Sequence, residues 1–243
     1  MQSPPNTECV RRIKSEYMAA LLHPLIQGTN IQGTGATETE LLPLPDRLAS
    51  FAGLPRGSIC EIIGSRSGGR TSGRTALVHA ILAESIARGE ICALVDWANS
   101  FDPATACRNG VALEKLLWVQ CGHQPDRALK VADLLLHTGG FGVVALDLCD
   151  VPPNTLRRIP LSWWHRFRRA IENAPTILLI AGNQAVAGSC ASCVIEMEQR
   201  QTLWSGSEHV PLFAGIEAQG TSRKPIRAES VLLRASVAAS IAG

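Results

Sequence analysis

From residue 54 onward, short and continuously apolar runs alternate with stretches of helical periodicity. Residues 58–63 (SICEII), 91–96 (ICALVD), 116–121 (LLWVQC), 143–147 (VVALD) and 176–181 (TILLIA) are too short for core helices. Their Val, Ile and Leu content predicts strands buried on both faces. Between them, residues 76–88, 126–137 and 161–174 carry apolar side chains at helical spacing, and the first two runs close on Gly89 and on Gly139-Gly140. Buried strands separated by helices imply an α/β fold, a three-layer α/β/α core around a mainly parallel sheet. After Cys190 the pattern changes to β segments at 193–197, 212–218 and 230–234, which predicts a C-terminal antiparallel β extension.

The first 45 residues differ in composition. Residues 7–22 place Val10, Ile13, Tyr17 and Leu21 at helical spacing, which predicts an amphipathic helix. Residues 27–40 are rich in Gly, Thr and Asn and read as a flexible linker. The organisation expected is therefore an N-terminal helix and linker at 1–45, a core at 46–200 and a β-rich extension at 201–243.

With 243 residues and 46% hydrophobic content, the chain can bury one sizeable α/β core. A net charge of +2 nominates neither nucleic acid nor membrane as a partner. No apolar run reaches transmembrane length and the N-terminal residues do not form a signal peptide, so a cytoplasmic protein is expected. Six of the eight cysteines sit within or beside apolar runs, the pattern of buried, reduced thiols. Cys190-Ala-Ser-Cys193 lacks the second pair that a zinc site needs.

The chemistry concentrates after the first strand, in Gly64-Ser-Arg-Ser-Gly-Gly-Arg-Thr-Ser-Gly-Arg-Thr75. Glycines let backbone N–H groups curl around phosphate oxygens, and a helix N-terminus behind them favours an anion. Such a loop ordinarily ends Gly-Lys-Ser/Thr, the lysine reaching the β/γ-phosphates and the hydroxyl Mg²⁺. Here two overlapping frames end in Gly-Arg-Thr: one runs from Gly64 to Gly69, Arg70 and Thr71, the other from Gly68 to Gly73, Arg74 and Thr75. Arginine keeps the charge but is a planar fork rather than a compact ammonium. Asp147 ends an apolar strand, where a phosphate loop's metal-binding aspartate belongs, so Asp147 and Thr75 are the candidate Mg²⁺ ligands.

These residues resemble the RecA superfamily. Gly53-Leu-Pro-Arg-Gly57, Cys60-Glu-Ile-Ile-Gly64, the run from Ala83 to Val95 ending at Asp96, Phe101-Asp-Pro103 and Gly110-Val111 carry the likeness, which covers about residues 45–200. It implies a P-loop NTPase core, with Arg74 at the lysine position and Asn183-Gln184 at the nucleotide sensor. The spacing from Arg74 to Asp96 favours the second loop frame. The resemblance also exposes departures. Ala98 stands where the family has its catalytic glutamate, leaving no catalytic residue, and neither Glu61 nor Glu90 ends a predicted strand from which to replace it. The segments after Asp147 and after Gln184 are too short for two DNA-binding loops of usual length.

A shortened core with a corrupted ATPase site resembles the RecA-like proteins related to ImuA. That resemblance implies an accessory factor of SOS translesion synthesis, with a RecA-type recombinase and a Y-family polymerase-like protein as partners and a weak or vestigial ATP/Mg²⁺ site. Two alternatives stand beside it: an active DNA-dependent ATPase recombinase, and an SOS-linked inhibitor that binds no nucleotide. Arg157-Arg158 and Trp163-Trp164-His165-Arg166-Phe167-Arg168-Arg169 mix arginines with aromatics. This reads as a weak nucleic-acid contact through Arg166, Arg168 and Arg169, as a protein-partner surface, or as an amphipathic helix with Trp164, Phe167 and Ile171 inward.

Overall fold

The computed structural model describes residues 40–44, 53–64, 73–207, 210–225 and 230–236. The helix expected at 7–22, its linker and the loop residues Gly68, Gly69, Arg70 and Thr71 lie outside the described residues.

The apolar runs form strands close to where they are expected: β3 (Ile59–Gly64), β4 (Ile91–Asp96), β5 (Leu116–Gln120), β6 (Phe141–Asp147) and β7 (Ile177–Gly182). A short antiparallel pair, β1 (Leu41–Leu42) and β2 (Leu54–Pro55), precedes them. The helices are α1 (Arg74–Ala87), α2 (Pro103–Arg108), α3 (Pro125–Thr138), α4 (Pro153–Leu156) and α5 (Leu161–Ile171). The chain closes with β8 (Ala191–Ser207), β9 (Val210–Lys224) and β10 (Ser230–Ser236).

One eight-stranded sheet runs in the order β10-β9-β8-β3-β7-β6-β4-β5. Its two faces explain the unbroken apolar runs. Along β7, Ile177 and Leu179 point into one core with Leu77, Ile81 and Leu82 of α1. Leu178 and Ile180 point into the other, with Leu129 and Leu136 of α3 and Trp164, Phe167 and Ile171 of α5. Helices cover both faces, the three-layer arrangement that parallel strands require.

The expected antiparallel extension is present as β8, β9 and β10, and it is joined to the core more closely than expected. β8 is 17 residues long, and over residues 194–197 it pairs in parallel with β3 on one side and antiparallel with β9 on the other, so it is also the sixth strand of the parallel sheet. Residue 200 lies inside it. α5 ends at Ile171, three residues before the expected limit of 174.

Candidate functional site

The carboxyl ends of β3, β7, β6 and β4 lie side by side, where ligands of open α/β sheets collect. Ile63 pairs with Gly182, Ala181 with Asp147, and Asp147 with Asp96, so the last residues of four strands share one edge. α1 starts at the same edge. Its N-cap is Gly73, in the left-handed region at φ 81°, and a Cβ there would stand 2.7 Å from the Ala218 Cβ of β9. Only glycine meets both conditions. The hairpin of β8 and β9 thus lies against the start of α1.

Arg74 opens α1 and folds back over Gly64, where an added Cβ would meet its Nη1 at 3.1 Å. Nη1 donates to the Gly182 carbonyl at 2.6 Å and to Asn183 Oδ1. Asn183 Nδ2 in turn donates to the Cys149 carbonyl, and the Cys149 backbone N–H donates to Asp147 Oδ1 at 2.9 Å. Four of the residues singled out in the sequence, Gly64, Arg74, Asn183 and Asp147, are therefore linked by contacts between β3, α1, β7 and β6. Gln184 is half-buried on the same turn, and no side-chain bond joins it to Arg74. Burial pushes the Asp147 carboxyl above the ordinary range, against the pull of its bonds to Cys149. The same burial, with Asp147 beside it, raises the Cys149 thiol.

Thr75 is exposed at the start of α1 and borders a cavity of about 140 Å³, shared with His79, Asp102, Asp147 and Cys149. Sites for small organic ligands begin at roughly 300 Å³. Among the described residues no cluster of three His, Cys, Asp or Glu side chains could hold a metal ion.

Asp96 serves another purpose. It is fully buried and accepts from the N–H groups of Ser100 and Phe101 and from Trp118 Nε1, at 3.0, 3.1 and 3.1 Å. These bonds shape the loop after β4 and occupy both oxygens. Ala98 is half-buried against the core on the α3 side. Glu61 and Glu90 are both engaged elsewhere. Glu61 is 1% exposed, and its Oε1 accepts from the N–H groups of Val186 and Ala187 at 2.7 and 3.1 Å, fixing the loop after β7. Glu90 sits at the other end of the sheet, before β4, held by Arg56 at 2.5 Å and by Ser85.

A model of the RecA N-terminal domain family matches residues 29–154, just over half of the chain. The chain belongs to the RecA N-terminal domain family. Among similar proteins, Protein RecA of Rhodospirillum rubrum is 40% identical over 105 residues, covering 42% of this chain and 26% of that protein. Protein RecA of Rickettsia prowazekii is 36% identical over 105 residues, covering 28% of its length. Protein RecA of Rickettsia canadensis is 34% identical over 139 residues, 56% of this chain and 38% of that protein. The matched part of the chain thus spans between a quarter and two-fifths of these relatives.

Within this RecA-family chain, the basic segment follows the amphipathic reading, with Trp164, Phe167 and Ile171 inward. Trp164 and Phe167 are 1% and 0% exposed, so they are core side chains and cannot stack on bases. Arg166 lies outside with Arg168 and Arg169, but it forms a two-pronged pair with Asp133 of α3 at 2.6 and 2.7 Å. The C-x-x-C pair separates across the sheet: Cys190 packs on the α5 side and Cys193 on the α1 side. Cys193 is instead in register with Cys60 of β3.

Of these residues, Trp118 and Cys149 escaped sequence reasoning as parts of the site. Trp118 and Cys149 reach it through strand order.

Proposed function

We propose that this RecA-family protein is an accessory factor of bacterial DNA-damage tolerance, of the ImuA-related kind. It acts in SOS translesion mutagenesis by contact with a RecA-type recombinase and a Y-family polymerase-like protein, and it does not turn over ATP. The observation that carries this reading is Arg74. The family binds ATP and Mg²⁺, and the residue at its lysine position should point at phosphate. Here that guanidinium is bonded to Gly182 and Asn183, the turn that would sense nucleotide.

The described residues fit an ATP/Mg²⁺ group poorly. Asp147 is desolvated and bonded to Cys149, Asp96 is saturated, and the residue at the position of the activating acid is Ala98, which can neither take nor orient a water proton. We take the loop residues Gly68, Gly69, Arg70 and Thr71 with Gly73 and Thr75 as a vestigial phosphate cradle. No helix among the described residues is long and apolar enough to cross a membrane, and a cytoplasmic role fits this reading. Residues 7–22 are the proposed partner-docking segment, residues 46–200 the core and residues 201–243 the β-rich extension, with β8 crossing that boundary.

The test is to measure ATP binding and hydrolysis by the purified protein beside Arg74→Ala. Absent or marginal turnover in both supports an accessory role. Robust turnover lost in the variant supports the recombinase reading.

A further inference from the structure

Four arginines, two just before α5 and two in its last turn, have no partner among the described residues. Arg157 and Arg158 follow α4, and Arg168 and Arg169 lie in the last turn of α5. All four are exposed, and their guanidinium groups form no hydrogen bond or ion pair among the described residues. Leu161, the first residue of α5, is 66% exposed between the two pairs. It lies three residues along the chain from Arg158, at most about 11 Å away. Arg168 is seven residues further along the helix, about 10 Å at its ordinary rise, and two turns on the same face. The one carboxylate on that face, Glu172, closes the helix and pairs with none of them.

A row of unpaired positive charge calls for an anionic partner, and the residue at its middle decides which kind. A phosphodiester backbone offers an exposed leucine nothing to bury, whereas a peptide can match both features. Arginine beside an apolar anchor, with lysine absent, is also the composition of protein interfaces. We infer that the face formed by Arg157, Arg158, Leu161, Arg168 and Arg169 docks an acidic peptide segment that carries leucine or another large apolar side chain. This deepens the proposed action through protein contact and gives that contact a place and a chemistry. The buried faces of Trp164 and Phe167 hold α5 rigid beneath it.

The probe is a synthetic peptide rich in Asp and Glu with leucines at helical spacing, titrated against the full chain by fluorescence anisotropy. Controls are the same peptide with leucine replaced by serine, and a single-stranded oligonucleotide. The leucine peptide should bind, weaken roughly tenfold with R168E/R169E or R157E/R158E, and weaken also with Leu161→Ala and with added salt. The serine peptide should bind less tightly. No binding of the leucine peptide, or binding unchanged by the substitutions, overturns the inference. So does an oligonucleotide that binds more tightly and is lost with the same arginines, since the face then serves nucleic acid. All substitutions are at exposed positions and leave Arg74 untouched. ATP turnover measured on the same preparations therefore tells failure of this docking face from failure of the accessory reading.

Discussion

Arg74 carries five donors and finds two acceptors on a neighbouring loop, the carbonyl of Gly182 and the amide oxygen of Asn183. Both bonds leave from the same nitrogen, Nη1, at the tip of the side chain. The arginine therefore works as a tie between α1 and β7. Arg74→Ala should lower stability by about 1–3 kcal/mol, the usual loss when a charged donor leaves partly buried acceptors behind. It should appear as a reduced urea midpoint at constant slope. Asp147 should respond the other way. Burial raises its carboxyl, so the folded chain holds this proton more tightly than the unfolded chain, and the group's contribution falls as pH rises. Asp147→Asn keeps an acceptor for the Cys149 N–H and removes the buried charge. Its midpoint should exceed that of the parent at neutral pH, and the gap should narrow as pH falls.

At the scale of elements, β4, β6 and β7 were legible because both of their faces are buried, which leaves no polar position to interrupt the run. β8 and β9 were not legible at their full length. Glu196 and Arg223 pair across them, as Arg200 does with Gln219, so charged positions interrupt the apolar pattern while the ladder continues. Their contact with the start of α1 was invisible too, since Gly73 meets Ala218 only through the strand order. Gly73→Ala combines a left-handed φ with a Cβ clash and should destabilise the fold by about 1–3 kcal/mol. Ala218→Gly in that background should recover only part of the loss, because the backbone strain remains; denaturant titration of both variants checks this. His79 joins α1 to the end of α2 through Asn109, at 2.9 Å. Burial lowers it from 6.5 to about 4, against the opposing charge of Asp102. The unfolded chain then binds more protons than the fold between those values, so stability is lost as pH falls through that window, by up to about 3 kcal/mol, and levels off below it. In His79→Gln this part of the acid limb should flatten.

For the whole molecule, the sequence made the α/β class and the edge bearing Gly64, Asp96 and Asp147 legible, because strand ends and glycines are local signals. What the edge does depended on pairings across more than a hundred residues, such as Arg74 with Gly182. Those pairings make Asp96 a loop brace and Arg74 a tie, and they leave the arginine face of α5 turned outward. The central claim is that this RecA-family core has exchanged turnover for contact. The most direct measurement is the steady-state ATP hydrolysis rate of the purified chain, with and without single-stranded DNA, beside Arg74→Ala. Loss of a general base alone removes about 10²–10⁴-fold in rate, and the lysine is replaced as well. Neither protein should show a rate above background under either condition. DNA-stimulated turnover that disappears in the variant would contradict the claim.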